Sequence, residues 1–122
     1  MAYDQGIIKL NSNGKPKRDF IWMGDVCNII GQIVNQSEEL KNEVYNLSYG
    51  TSLSVYDIAC EVQNAFLSFS GEQINIEINQ NDESTHLDQT VSNQKLIEKI
   101  NYQFSNEIKN EAFNIFNLLK SA

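Results

Sequence analysis

Two hydrophobic periods alternate along this chain, and that alternation limits what it can fold into. Apolar residues recur at helical spacing in three places. These are Val26, Ile29, Ile30, Ile33 and Val34; then Val55, Ile58, Ala59, Val62, Phe66 and Phe69; then Ile108, Ala112, Ile115, Phe116 and Leu119. Short strand-like runs lie before and between them. In QINIEIN, 73–79, Ile74, Ile76 and Ile78 alternate with polar residues, the pattern of a half-buried strand. GIIKLN (6–11) and KRDFIWM (17–23) read as two strands joined by the turn SNGKP, so a hairpin is expected. EVYNLS (43–48) reads as a strand from its β-branched and aromatic content. A further helix is expected from about Ser92 to Ile100, and the last helix from Ser105. The expected order is β-β-α-β-α-β-α-α. Strands separated by helices imply a parallel, helix-covered sheet, yet these are too few to close one. The reading is an α/β fold with strands missing.

The local signals agree with that division. Gly24 or Asp25 is expected to cap the first long helix and Ser54 the second. Gly71 is expected to end the second, and Asn101 to stand left-handed after the Ser92–Ile100 helix. With 122 residues, no linker and no repeat, a single domain over 1–122 is expected. Hydrophobic residues make up 41% and charged residues 20%, which favours a packed chain over a disordered one.

The net charge of −7 excludes a broad basic face, so neither nucleic acid nor an anionic membrane surface is an expected partner. The charge is uneven. Lys9, Lys15, Lys17 and Arg18 stand against Asp4 alone in the first 18 residues, which leaves room for a local anion site. No apolar run reaches membrane-spanning length and the start lacks a secretion pattern, so a cytoplasmic location is expected. Cys27 and Cys60 are not spaced as a metal or redox pair and are expected as reduced, mostly buried thiols.

Several chemistries find no residues to carry them. The glycines, at 6, 14, 24, 31, 50 and 71, form neither a dinucleotide fingerprint nor a P-loop. No Tyr is followed four residues later by Lys. His86 is the single histidine, set in a polar loop with no Cys nearby, so no zinc site is expected. Glu38-Glu39 and Asp82-Glu83 read as solvated loop charges.

The order of three segments is nevertheless suggestive. RDFIWMGDV resembles the Arg-Asp-Phe-(Ile/Val)-x-Val-x-Asp-(Val/Ala) segment of the extended short-chain dehydrogenase/reductases, the NAD-dependent epimerase/dehydratase family that acts on nucleotide sugars. Met23 replaces the usual Val, and Asp25 matches the helix-starting Asp. EVYNLSYGTSLSVYDIA resembles that family's Val-Tyr-Asn-x-Gly-x-Gly segment, with Ser48 in place of the first Gly and Gly50 keeping the second. SNQKLIEKINYQFSNEIKNEAF resembles the closing segment, with Asn101-Tyr102 where a Gly and an aromatic stand. The resemblance runs from about Gly6 to Leu119 and corresponds to the C-terminal, substrate-binding part of a Rossmann-type enzyme.

The resemblance implies that the Gly-rich loop and Tyr-x-x-x-Lys of the family belong to an NAD-binding part that is absent here. NAD or NADP would serve the full-length family, with none bound by this chain and no activity from it alone. Arg18 matches a family residue that contacts the diphosphate of a nucleotide sugar. A guanidinium suits that role because its planar fork binds phosphate bidentately. If the hairpin forms, residues 9–11 lie beside Arg18, and the backbone around Leu10 and Asn11 would face the nucleotide base. The expected substrate-binding residues are therefore Arg18, Leu10 and Asn11, with Lys15 and Lys17 adding positive potential. The loop after QINIEIN holds no basic residue where the family often has a second Arg, so weak binding is expected. Expected partners are a nucleotide sugar and either a second copy of the chain or a chain carrying the NAD-binding half. The alternative is a small acidic protein-interaction domain that uses open sheet edges and aromatic residues.

Overall fold

The computed structural model describes residues 2–36, 38, 40, 43–83 and 88–122. Its elements are α1 (Ala2–Gln5), β1 (Ile7–Lys9), β2 (Lys17–Asp19), α2 (Met23–Asn35), β3 (Ser52–Ser54), α3 (Val55–Ser70), β4 (Asn75–Glu77), α4 (Gln94–Ile100) and α5 (Ile108–Ser121). Beyond the single turn of α1, the order is the expected β-β-α-β-α-β-α-α. The sequence reads as one domain over 1–122; the chain packs as two compact units. The first comprises Met1–Lys17, Leu53–Asp88 and Glu107–Ala122, and the second Arg18–Ser52 and Gln89–Asn106.

In the first unit β1 and β4 pair in parallel, with Ile8 opposite Ile76. Helices α3 and α5 pack together. The core holds Ala65, Phe66, Ile74, Ala112 and Phe116, with Tyr3, Ile8, Val62, Phe69 and Phe113 packed against it. Phe66 meets Phe116 edge-on at 5.2 Å between ring centroids. Of these, Val62, Phe66, Phe69, Ile74, Ala112 and Phe116 are positions that the helical and strand periods selected, whereas Ala65 and Phe113 are not, and the selected Ile78, Ile115 and Leu119 are exposed.

The start of α3 is closed by four hydrogen bonds. The Ser54 Oγ accepts from the Asp57 amide at 3.0 Å, and the Asp57 carboxylate accepts from the Ser54 amide at 2.9 Å. The Val55 amide donates to the Pro16 carbonyl and the Tyr56 amide to the Gly14 carbonyl, both at 3.0 Å. The other end stops at Gly71, left-handed at φ 77°, as expected. The Ser54 hydroxyl and then its amide hold the Asp57 carboxyl below its ordinary range. A carboxylate with a lowered folded pKa stabilises the folded chain above the ordinary carboxylate range, and loses that effect as pH falls through the lowered value. Ser54→Ala is expected to cost about 1 kcal/mol at neutral pH. The difference from the parent, followed by urea denaturation, should shrink on acidification.

The expected β1–β2 hairpin does not form. β1 pairs with β4 and β2 with β3. The residues explain the change. β2 is Lys17-Arg18-Asp19 and offers no apolar side chain, whereas pairing with β4 sets Ile8 beside Ile76 and lets it pack on the Ile74–Phe66 core. Gly14, at φ 80°, and the buried Pro16 carry the chain onto the first turn of α3 and not back along β1.

The second unit is built on α2 and α4. Its core is Ile29, Leu40, Leu96 and Ile100, with Ile33, Tyr45, Ile97, Tyr102 and Phe104 against it. Two boundaries are corrected by one residue. Helix α2 begins at Met23 with Trp22 as its N-cap, so neither Gly24 nor Asp25 caps it. Asp25 is fully buried and accepts hydrogen bonds from the Tyr102 hydroxyl at 2.7 Å, the Ser105 hydroxyl at 2.8 Å and the Ser105 amide at 3.3 Å. That commitment of Ser105, followed by Asn106 at φ 48°, delays the last helix to Ile108. Asn101 is left-handed at φ 48°, as expected.

The expected strand at 43–48 is irregular. Its side chains explain why. The Asn46 amide donates to the Ser92 carbonyl, the Ser48 hydroxyl to Val91 and, further on, the Ser52 hydroxyl to Gln89. Side chains, not a backbone ladder, hold this stretch to 89–92, and β3 forms later, at Ser52–Ser54. The cysteines also differ from expectation. Both are free thiols, but Cys27 is exposed and Cys60 half-buried, because Cys27 lies on the side of α2 away from Ile29.

Candidate functional site

In a parallel α/β arrangement, ligands collect beyond the carboxyl ends of the strands. In the first unit that place is an open depression of about 390 Å³, lined by Lys9, Leu10 and Asn11 after β1 and by residues 77–81 after β4. Its walls are stitched together. The Leu10 amide donates to the Glu77 carbonyl at 2.8 Å, the Asn79 amide to the Ser12 carbonyl at 3.0 Å, and the Asn79 side chain to the Asn11 carbonyl at 3.2 Å. Asn13 donates from its amide to the Asp82 carboxylate at 3.0 Å and from its side chain to the Asp82 carbonyl at 2.8 Å. Asp82 is thus a structural acceptor and not the solvated charge expected of it. The depression offers amide groups from Asn11, Gln80 and Asn81, an ammonium from Lys9 and a carboxylate from Glu77. This set suits a neutral, hydrogen-bonding group better than a bare phosphate.

Of the three expected site residues, Leu10 and Asn11 line this depression. Arg18 is exposed on β2 and belongs to the second unit. The hairpin that would have set residues 9–11 beside Arg18 is absent, so that part of the expectation loses its geometric ground. The basic cluster is also partly spent, since the Lys17 ammonium lies 3.4 Å from the Asp88 carboxylate. Next to Arg18, the Asp19 carboxylate accepts from the Tyr49 amide at 2.7 Å and the Gly50 amide at 3.0 Å. Gly50 stands at φ 86°, and a Cβ there would press on the Asn93 side chain, which itself donates to the Ser48 carbonyl at 2.9 Å. Ser48 and Asn93 thus occupy the space beside the one glycine that this segment keeps.

The Tyr102 phenol is held protonated, chiefly by burial and next by its hydrogen bond to Asp25, with the Asn28 amide acting in the opposite direction. It is therefore a fixed donor. Nothing in the sequence marked Asp25, Tyr102 and Ser105 as a group, because they lie 77 and 80 residues apart. The walls at 79–81 were also missed. Their signal was position, directly after a strand, and not residue type.

A pyrophosphate needs exposed amides at the first turn of a helix. Those of α3 are taken by Pro16, Gly14 and Ser54. At α2 the Trp22 indole covers Gly24 so closely that a Cβ would collide with the ring. Among the described residues no cluster of His, Cys, Asp or Glu could hold a metal, and no helix is long and apolar enough to cross a membrane. His86, the single histidine, lies outside the described residues.

No family model matches the sequence, and no curated protein does. Solved structures do match. The UDP-N-acetylglucosamine 4-epimerase from Bacillus cereus superposes with a TM-score of 0.71 at 20% identity, over 97% of this chain and 41% of its own. An NAD-dependent NDP-hexosamine 5,6-dehydratase of tunicamycin biosynthesis gives 0.67 at 16%, over 99% and 38%. The fold is part of the epimerase/dehydratase fold. The L-threonine dehydrogenase from Phytophthora infestans, at 0.66 and 15% over 98% and 38%, shares it too, so the fold alone does not choose a substrate. The chain spans about two fifths of the length of each of these proteins.

Proposed function

We propose that this chain is the nucleotide-sugar-binding part of an enzyme of the NAD-dependent epimerase/dehydratase kind, equivalent to its C-terminal, substrate-binding region. The observation that supports it most is the depression at the ends of β1 and β4, where Leu10 and Asn11 were expected to meet a nucleotide base. Arg18 keeps its proposed phosphate contact on the family resemblance alone, since no hairpin sets it beside Leu10 and Asn11. The chain works in the cytoplasm, holds neither NAD nor NADP by itself and is not catalytically competent alone. It is completed by a second copy or by a chain carrying the cofactor half. One charge-assisted phosphate contact is worth about 1.5–3 kcal/mol, so binding is weak, at best millimolar.

Titration with UDP-N-acetylglucosamine, followed residue by residue by NMR, tests this. Shifts are expected at Leu10, Asn11 and residues 79–81, with Arg18→Ala weakening binding roughly 10-fold or more. Shifts elsewhere would remove the depression from the assignment, and binding that Arg18→Ala leaves unchanged would remove Arg18 from it. The second reading, a small acidic interaction domain with no sugar-nucleotide role, draws on exposed apolar side chains such as Val44, 85% exposed.

A further inference from the structure

Strands β1 and β4 set an acid and a base side by side at the depression. Lys9 and Glu77 are direct partners in the parallel ladder, so their side chains leave the same face of the sheet. Both are exposed and both line the depression. Among the described residues neither side chain is held in an ion pair. The frame that carries them is fixed. The Leu10 amide donates to the Glu77 carbonyl at 2.8 Å, and Asn13 ties Asp82 to the facing wall through two bonds. Of the described residues that line the depression, Glu77 brings the one carboxylate and Lys9 the one ammonium. Their charges cancel, so the depression holds no net charge to draw in a phosphate.

We infer that Glu77 reads the ribose of the nucleotide sugar, accepting from its 2′- and 3′-hydroxyls, and so selects ribonucleotides over deoxyribonucleotides. The inference rests on the nucleotide-sugar reading above and adds a specificity-determining residue to it. An ionised carboxylate only accepts, and its two oxygens match two neighbouring O–H donors. Such charge-assisted bonds are stronger than neutral ones. The amide side chains of Asn11, Gln80 and Asn81 each carry a donor and an acceptor. That mixed pattern suits the edge of a base, whereas a diol asks for two acceptors. A hexose also presents neighbouring hydroxyls, but position favours the ribose. The base is placed at Leu10 and Asn11, and Glu77 is hydrogen-bonded to Leu10 through its backbone. The ribose is bonded directly to the base, while the hexose lies beyond both phosphates.

Titrations followed by NMR test this, using uridine diphosphate, its 2′-deoxy counterpart and N-acetylglucosamine 1-phosphate. The parent is expected to bind uridine diphosphate roughly 10-fold more tightly than the 2′-deoxy form, for the loss of one charge-assisted hydrogen bond. Glu77→Gln should bring uridine diphosphate down to the level of the 2′-deoxy form and change the latter little. A merely structural residue would weaken both alike. The variant is expected to keep its far-ultraviolet spectrum, because Glu77 is exposed and its bond to Leu10 is made by backbone. Equal binding of the two diphosphates, or discrimination that survives in Glu77→Gln, overturns the inference and leaves the nucleotide-sugar reading in place. Binding of N-acetylglucosamine 1-phosphate that Glu77→Gln abolishes would give the carboxylate to the hexose diol and overturn the ribose assignment. If neither uridine diphosphate nor UDP-N-acetylglucosamine binds, both readings fall.

Discussion

Asp25→Ala is expected to unfold the second unit or leave it barely stable. The substitution removes the acceptor of three donors at once: the Tyr102 hydroxyl, the Ser105 hydroxyl and the Ser105 amide. A buried donor left without a partner costs about 1–3 kcal/mol; Tyr102 is half-buried and Ser105 exposed, so water recovers part of that. A combined loss of about 3 kcal/mol is still a large part of the 5–15 kcal/mol that holds a typical domain folded. The contacts join the first turn of α2 to the chain beyond α4, so their loss frees both ends of the unit. Asp25→Asn keeps the shape and one acceptor oxygen and is expected to cost less. Urea denaturation compares the two. If Asp25→Ala is within 0.5 kcal/mol of the parent, the buried carboxylate is not what holds this unit.

Phe66→Ala is the second large effect, and it falls on the first unit. Phe66 is 7% exposed and touches Phe69 and Phe116 at ring-centroid distances of 6.2 and 5.2 Å. Deleting such a ring removes its transfer energy and leaves a cavity among Ala65, Ile74 and Ala112, which cannot grow to fill it. The expected cost is about 3–5 kcal/mol. Amide hydrogen exchange should show α3 and α5 losing protection together, because Phe66 on α3 packs on Phe116 of α5. Loss of protection confined to α4 would contradict this division of the chain.

The elements that carry their own period were legible in the sequence. Helix α3, from its Ser54 cap to Gly71, and the strand containing Ile76 could be read because local bonds and one buried face define them. The same holds for Asn101, whose left-handed turn needs no distant partner. Pairing was not legible. Whether β1 joins β2 or β4 depends on where Ile8 finds an apolar neighbour, and that neighbour comes from a stretch nearly 70 residues away. The 43–48 stretch failed for a related reason, since its composition favours a strand but its polar side chains bind 89–92 directly. Of the candidate site, Leu10 and Asn11 were named through a hairpin that does not form, and the wall at 79–81 was not named at all. Amide side chains after a strand carry no distinctive chemistry until the fold brings them opposite β1.

The most direct test of the account is a saturation-transfer NMR measurement on the unmodified chain, with UDP-N-acetylglucosamine and NADH present together in excess. Both ligands carry a diphosphate, so the comparison asks which attached group the chain recognises. Transfer is expected to the nucleotide and sugar protons of UDP-N-acetylglucosamine, and none to the nicotinamide or adenine protons of NADH. Transfer to NADH with none to the nucleotide sugar would contradict it, because the depression beside Leu10 and Asn11 would then not be a nucleotide-sugar site.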